Sequence, residues 1–411
     1  MSENKILILN TDVDYIAKEE PTRRIVEVAL HAPKVSQSYE RPKLNLSLVI
    51  DCSGSMSGGK LEYVKTAVFH LLDLLGEEDI VSVVAFDTHV ETLVYRHNVT
   101  DNNRLMMKEQ VRRLQPGSST NLSGGWLRGC HCVAEGLDEA MISRTFLLTD
   151  GLANVGIVDI EELGFHSQEI HNRGISTSTF GVGRDYNEFL LERMATLGGG
   201  NYYYIESPIM IEDIFMRELE NLFTISLRDI EIIIPPFPHI KMNIPGKWKM
   251  VKRRQKTHVY IGNLCSEQIR EVYLDLQLPA QNGVDKLPIN IKIIAKDENN
   301  QIIEETGEVV FQYISKEELA SKPVNQTVLS HFSLVDVASI AEEALEFERR
   351  GERQKALDLM QYRLQEAVPY LASEEVSDYL AYMDQLSRGM DEFERKRRHS
   401  QFYHNKQRKQ R

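Results

Sequence analysis

Between Leu44 and Glu206 the chain repeats one pattern: a short apolar run, then a stretch whose apolar residues recur every three or four positions. The runs are LNLSLVI (44–50), IVSVVAF (80–86), RTFLLTD (144–150), ISTSTFGVG (175–183) and NYYYIE (201–206). A strand with one face in water alternates apolar and polar residues, so runs without alternation indicate strands covered on both faces. The helical patterns between them supply the cover; the first passes through Leu61, Val64, Ala67, Val68, Leu71 and Leu72. Others are expected over about 102–114, 122–137 and 208–223, with a hairpin partner strand near Val90–Val94. The alternation predicts an α/β fold over 41–222, Rossmann-like and doubly wound. Such sheets bind ligands at the carboxyl ends of their strands. Asp51 and Asp150 both stand at that edge.

The rest of the chain reads differently. Residues 1–40 hold two strand patterns, KILILN and RRIVEVAL, with no place in that sheet. Residues 223–322 are extended segments broken by Pro, Gly and Asn clusters, the signature of an antiparallel β-sandwich. The two parts are expected to form one sandwich, discontinuous in sequence. Residues 323–394 carry three helical stripes with Gly351 and Pro369 as stops, and 395–411, RKRRHSQFYHNKQRKQR, reads as a basic disordered tail.

The turn after the first run, DCSGSMSGGKL, admits two chemistries. Gly54–Lys60 fits G-x-x-x-x-G-K, the start of a nucleotide loop. That loop needs Ser or Thr after the Lys to hold the nucleotide's magnesium, and Leu61 stands there. Asp51 would also set a carboxylate beside the phosphates, where like charge is costly. A nucleophile elbow fails because Met56 sits where its serine belongs. The other reading is D-x-S-x-S: Asp51, Ser53 and Ser55 offer one carboxylate and two hydroxyls from a single turn. Mg²⁺ takes about six oxygens in a near-octahedral shell, so other loops on the same edge must contribute. Thr120, in QPGSSTNLSGG (115–125), and Asp150, in LLTDGLANVG, are placed to do so.

Together these segments resemble the von Willebrand factor A domain with its metal-ion-dependent adhesion site. Its pattern of D-x-S-x-S, a distant Thr in a G-x-T-N type loop and a distant Asp before Gly is filled by Asp51, Ser53, Ser55, Thr120 and Asp150. The resemblance covers roughly 41–222, including GVGRDYNEFLLERMATLGGGNYYYIE (181–206). It implies that the three hydroxyls ligate a cation directly while the aspartates act mostly through bound water. Neutral ligands leave the cation's charge poorly balanced, so an acidic side chain of a protein partner completes the shell. Mg²⁺ is the expected ion, with Mn²⁺ or Ca²⁺ as substitutes. The resemblance implies a non-enzymatic interaction module, in a layout similar to that of the inter-alpha-trypsin-inhibitor heavy chains. A second reading is an adaptor or regulatory subunit of an AAA+ ATPase of MoxR or chelatase type, as for intracellular family members. A metal-dependent hydrolase is the third, and no general base stands out for it.

Composition removes other classes. A formal net charge of −13 disfavours nucleic-acid binding. No apolar stretch reaches the ~18 residues of a membrane span. MSENKILILNTDVDYI lacks the features of a secretory signal, which makes the cytoplasm the expected compartment. The four cysteines are too scattered for a disulfide framework. Cys130-His131-Cys132 has no second cluster at zinc spacing and reads as reduced cysteines, at least one buried. Gly198–Gly200 reads as a turn and Tyr202–Tyr204 as packing on alternate sheet faces. KWKMVKRRQK (247–256) reads as a solvated hairpin, with contact to an acidic partner as its functional alternative.

Overall fold

The computed structural model describes residues 5–35, 41–150, 153–183, 186–206, 210–237, 239–246, 248–281, 283–407 and 409–410. The chain forms two compact units: Ser38–Thr224, and Met1–Gln37 joined with Ile225–Arg411. Three strands open it, β1 (Leu7–Thr11), β2 (Tyr15–Ala17) and β3 (Thr22–His31), all of the second unit.

The first unit is a six-stranded sheet of β4 (Lys43–Asp51), β5 (Ile80–Phe86), β6 (Val90–Asn98), β7 (Met141–Thr149), β8 (Ser176–Val182) and β9 (Gly199–Ile205). Its order is β6-β5-β4-β7-β8-β9, parallel throughout except for β6, which is antiparallel to β5. Register pairs Asp51 with Phe86 and Ile50 with Leu148, so the ends of β4, β5 and β7 lie level. The helices are α1 (Lys60–Leu74), α2 (Asp101–Arg112), α3 (Leu122–Ala134), α4 (Ile160–Asn172), α5 (Glu188–Leu197) and α6 (Met210–Phe223). Four begin at side-chain caps, Thr100, Asn121, Asp159 and Asn187, each accepting from a backbone N–H in the first turn. A cap of this kind is worth ~1 kcal/mol.

Small residues bring α3 against the sheet. A Cβ on Gly125 would lie 2.5 Å from the Phe86 ring, and one on Gly129 2.3 Å from Val49. Trp126 fills the space between, fully buried, its indole N–H donating to Thr177 Oγ1 at 3.1 Å. At the other end of the sheet a charged pair is buried: Arg144 of β7 donates to Glu218 of α6 at 2.7 Å. The Tyr run divides as its alternation requires. Tyr202 is fully buried and hydrogen-bonds Tyr186 at 2.9 Å, while Tyr203 donates to Glu218 at 2.6 Å.

The second unit adds β10 (Ile225–Ile234), β11 (Lys241–Asn243), β12 (Lys249–Arg253), β13 (Lys256–Cys265), β14 (Ile269–Leu278), β15 (Lys286–Lys296) and β16 (Ile302–Ile314). One sheet runs β1-β3-β14-β11; the other runs β12-β13-β10-β15-β16-β2, with β2 parallel to β16. Leu7, Val28 and Leu274 of the first share one core with Ile232, Ile291 and Phe311 of the second. β12 and β13 are the hairpin read from KWKMVKRRQK, whose residue 247 lies outside the described residues. Its turn, Arg254-Gln255, has positive φ at both positions (49° and 65°), the geometry of a type I′ hairpin turn.

Helices follow: α7 (Lys316–Leu319), α8 (Gln326–Arg349), α9 (Arg353–Ala367), α10 (Ser373–Arg388) and α11 (Glu392–Gln407). The disordered tail expected over 395–411 is corrected by α11, whose Phe402 is fully buried in a core with Ala341, Met360 and Tyr382. Arg398 adds an ion pair to Asp378 at 2.6 Å. The basic composition is offset because Phe402 and Tyr403 are buried and cations of the helix are paired, Arg395 with Glu348 and Lys406 with Glu342. Of the tail, residues 408 and 411 lie outside the described residues. Among the described residues no helix is long and apolar enough to cross a membrane.

Candidate metal centre

β4 delivers Asp51 and β7 delivers Asp150 to the same edge of the sheet, each with no exposed surface. The turn after Asp51 is a single 3₁₀ turn over Gly54–Met56, followed by Gly58 and Gly59 at φ of 72° and 101°. Only glycine takes those angles without strain, so the SGG sequence lets α1 start immediately behind the loop. Met56 packs inward with no exposed surface, while Gly54 and Ser55 are exposed.

The side chains converge. Ser53 and Ser55 place their hydroxyl oxygens 3.1 Å apart, and Ser55 Oγ donates to Asp150 Oδ1 at 2.7 Å. Asp51 accepts from the Ser53 N–H at 2.8 Å and from the Thr149 hydroxyl at 2.5 Å. Asp51, Ser53, Ser55 and Asp150 therefore form one connected set of oxygens, with Lys60 Nζ 2.5 Å from the second Asp150 oxygen.

Thr120 reaches this edge through the backbone of its loop. Gly54 N–H donates to Ser118 O at 2.8 Å, and Gly117 N–H donates to Cys52 O at 2.6 Å. Asn154 Oδ1 accepts from Thr120 N–H at 2.8 Å, while the Thr120 carbonyl accepts from the N–H groups of Asn154 and Val155 at 3.2 Å. Asn121 then caps α3. Asp87, just beyond β5, anchors the same loop: its backbone carbonyl accepts from Asn121 N–H at 2.8 Å. A Cβ on Gly117 would fall 2.1 Å from the Asp87 carboxylate.

Burial pushes the Asp51 carboxyl up to about 6; hydrogen bonds from Ser53 and Thr149 pull it down, and the Asp150 charge adds to the rise. A cation held at this edge would relieve that cost. The side chains brought together offer only oxygen, two carboxylates and two hydroxyls, to which Thr120 would add a third hydroxyl; such a set suits a hard divalent ion such as Mg²⁺ or Mn²⁺ better than a thiophilic one. The loop's own thiol stays out of this chemistry, since burial raises the Cys52 pKa to about 12. All four cysteines are buried, and none is part of a disulfide.

Three supporting residues carry no sequence signal strong enough to find them. Thr149 and Asn154 act on Asp51 and Thr120 through contacts between separate strands and loops, and Asp87 through fit against a glycine. Lys60, visible in the sequence as the last residue of a failed nucleotide loop, turns its ammonium onto Asp150 instead.

Residues 45–217 match the model of the von Willebrand factor type A domain. Over 372 residues the chain is 27% identical to the uncharacterized protein sll0103 of Synechocystis sp., covering 86% of this chain and 85% of that one. It is 28% identical over 211 residues to the uncharacterized protein YfbK of Escherichia coli, covering 51% and 36%. It is 31% identical over 157 residues to inter-alpha-trypsin inhibitor heavy chain H3 of Homo sapiens, covering 37% and 18%. The chain thus spans well under two thirds of the length of the last two. Among solved structures it is similar to a von Willebrand factor type A protein from Catenulispora acidiphila, with TM-score 0.73 and 16% identity, covering 96% of each chain. The ArnB paralog VWA2 from Sulfolobus acidocaldarius gives 0.61 and 16%, covering 97% of each. These likenesses show the fold.

Proposed function

We propose, starting from the von Willebrand factor type A domain over residues 45–217, that this chain is a non-enzymatic, divalent-cation-dependent module that docks an acidic residue of a protein partner. The observation that carries the reading is the connected set of Asp51, Ser53, Ser55 and Asp150 oxygens at one sheet edge, with Thr120 tied to it by the Gly54–Ser118 bond. Ser53, Ser55 and Thr120 would hold Mg²⁺, and Asp51 and Asp150 would steady its water. Bound there, the ion supplies a coordination position that an outside carboxylate can fill.

The chain's own residues shape what can approach. Ser53 and Thr120 are buried, so they present fixed oxygens, while exposed Gly54, Ser55 and Ser118 leave the outer side open to a second protein. Asp51 and Asp150 repel an acidic partner in the metal-free domain, which makes docking conditional on the ion.

The test is calorimetric titration of the full chain with Mg²⁺ and Mn²⁺, repeated with Ser53→Ala and Thr120→Ala. Each variant is expected to lose at least tenfold in affinity while melting cooperatively, about 1.4 kcal/mol per ligand lost. Partner capture by the wild type should need Mg²⁺ and vanish in EDTA. Unchanged Mg²⁺ affinity in both variants would overturn the reading.

A further inference from the structure

In the second unit, three side chains of metal-binding type meet beneath a helix. Glu27 of β3 and Glu271 of β14 rise from neighbouring strands of one sheet, where Glu27 pairs with Tyr273 and Ala29 with Glu271. His331 of α8 lies over them. Its Nδ1 is 3.5 Å from Glu271 Oε1 and 3.9 Å from Glu27 Oε1, and one ligand atom from each of the three lies within 4.8 Å of the others. Both carboxylates are more than nine-tenths buried, while the His331 side chain is 30% exposed. Ile25, Tyr273, Val328, Phe332 and Val335 make the apolar wall around them.

Other donors also hold the carboxylates. Tyr273 places its hydroxyl 3.0 Å from Glu27 Oε1 and 2.7 Å from Glu271 Oε2, and Asn10 Nδ2 donates to Glu27 Oε2 at 2.7 Å. A phenol has one proton and so satisfies one of two carboxylates at a time. The other contact calls for a proton on one carboxyl or a positive charge beside the pair, and His331 already hydrogen-bonds Glu27 from above. Arg23 on the same strand is committed to Asp275, by two hydrogen bonds of 2.8 and 3.0 Å.

We propose that Glu27, Glu271 and His331 form a second divalent-cation site, for a borderline metal of the Zn²⁺ or Mn²⁺ class, in the unit outside the von Willebrand factor type A domain. An imidazole nitrogen with two carboxylate oxygens is a donor set for such ions rather than for Mg²⁺. Ligand atoms at about 2.1 Å from a tetrahedral ion stand roughly 3.4 Å apart. The imidazole-to-carboxylate separations of 3.5 and 3.9 Å therefore need only small side-chain movements to close on an ion. Asn10 on Glu27 Oε2 and Tyr273 on Glu271 Oε2 would orient the carboxylates through the oxygens turned away from His331, as outer partners of metal ligands do. His331, 30% exposed, brings the cluster into contact with solvent, from which a fourth ligand would come. The site ties β3, at the start of the chain, to β14 and α8, so the ion would fasten three elements distant in sequence.

The test uses the full chain, stripped with chelator and dialysed against Zn²⁺, with bound metal counted by mass spectrometry. His331→Asn and Glu271→Gln are each expected to lose one equivalent of Zn²⁺ relative to wild type. Ser53→Ala should keep that equivalent, which separates this site from the Asp51 site. Substitution with Co²⁺ gives a second readout: the visible absorption of a four-coordinate ion should appear in wild type and in Ser53→Ala and be absent from His331→Asn. Equal Zn²⁺ content in wild type, His331→Asn and Glu271→Gln would overturn the proposal. So would a cluster that takes up neither metal, because a protonated His331 would then be the counter-charge.

Discussion

Replacing Arg144 with Met asks whether α6 is held to the sheet by charge as well as by apolar contact. Glu218 has no exposed surface and accepts from Arg144 Nη1 at 2.7 Å, Ser178 Oγ at 2.5 Å, Tyr203 OH at 2.6 Å and Asn201 Nδ2 at 2.8 Å. Burial acts to raise its pKa, but the Arg144 charge and the Ser178, Tyr203 and Asn201 donors outweigh it and hold the carboxyl below its usual 4.5. Met keeps the stem of Arg144 and deletes the charge, leaving a carboxylate in the interior with neutral donors alone. Breaking a buried pair in this way costs about 3–5 kcal/mol. At about 2–4 °C per kcal/mol for a unit of this size, melting of the α/β unit should fall by roughly 6–20 °C. The double variant Arg144→Met with Glu218→Gln removes both charges and should recover at least about 1 kcal/mol relative to additivity. The pH dependence has a fixed sign. Because its folded pKa is lowered, Glu218 contributes stability above the unfolded value near 4.5 that is lost as pH falls through the folded value. The advantage of wild type over Glu218→Gln should therefore narrow below pH 4.5. Differential scanning calorimetry of the four proteins measures all of this. Arg144→Met melting with wild type, or strict additivity in the double variant, would refute the reasoning.

Three further outcomes are expected. Lys60→Met frees the Asp150 oxygen now engaged by the ammonium, so Mg²⁺ affinity should rise about tenfold in calorimetric titration, and a weaker affinity would show that Lys60 helps to hold the ion. Gly117→Ala drives a Cβ into the Asp87 carboxylate and shifts the loop carrying Thr120. It should weaken Mg²⁺ binding about tenfold, some 1.4 kcal/mol, with a smaller loss of thermal stability. Phe402→Ala empties a site in the core shared with Tyr382 and Met360 and should cost about 3–5 kcal/mol in urea unfolding, whereas a disordered segment would show no change.

Much of the candidate site was legible along the chain, because the end of a buried strand is marked locally. Apolar runs closing on Asp51 and Asp150, and a Gly/Ser turn ahead of a helical stripe, place side chains on the sheet edge before any contact is known. The supporting residues were not legible. Thr149 faces Asp51 only because β4 and β7 are neighbours in register, and Asn154 meets Thr120 only after two loops fold against each other. The tail misled for a related reason. Its basic composition is read residue by residue, whereas burial of Phe402 depends on a groove that other helices build.

By itself, the order of residues determined which segments become covered strands, where helices begin, and which oxygens come to the edge of one sheet. Periodicity and capping act over a few residues, so they are complete in the sequence. The tertiary structure alone decided the pairing of β3 with β14, the order of α11, and the meeting of Glu27, Glu271 and His331. Each of these joins residues far apart in the chain, where strand register and helix docking, both properties of the whole packed core, set the distance between side chains.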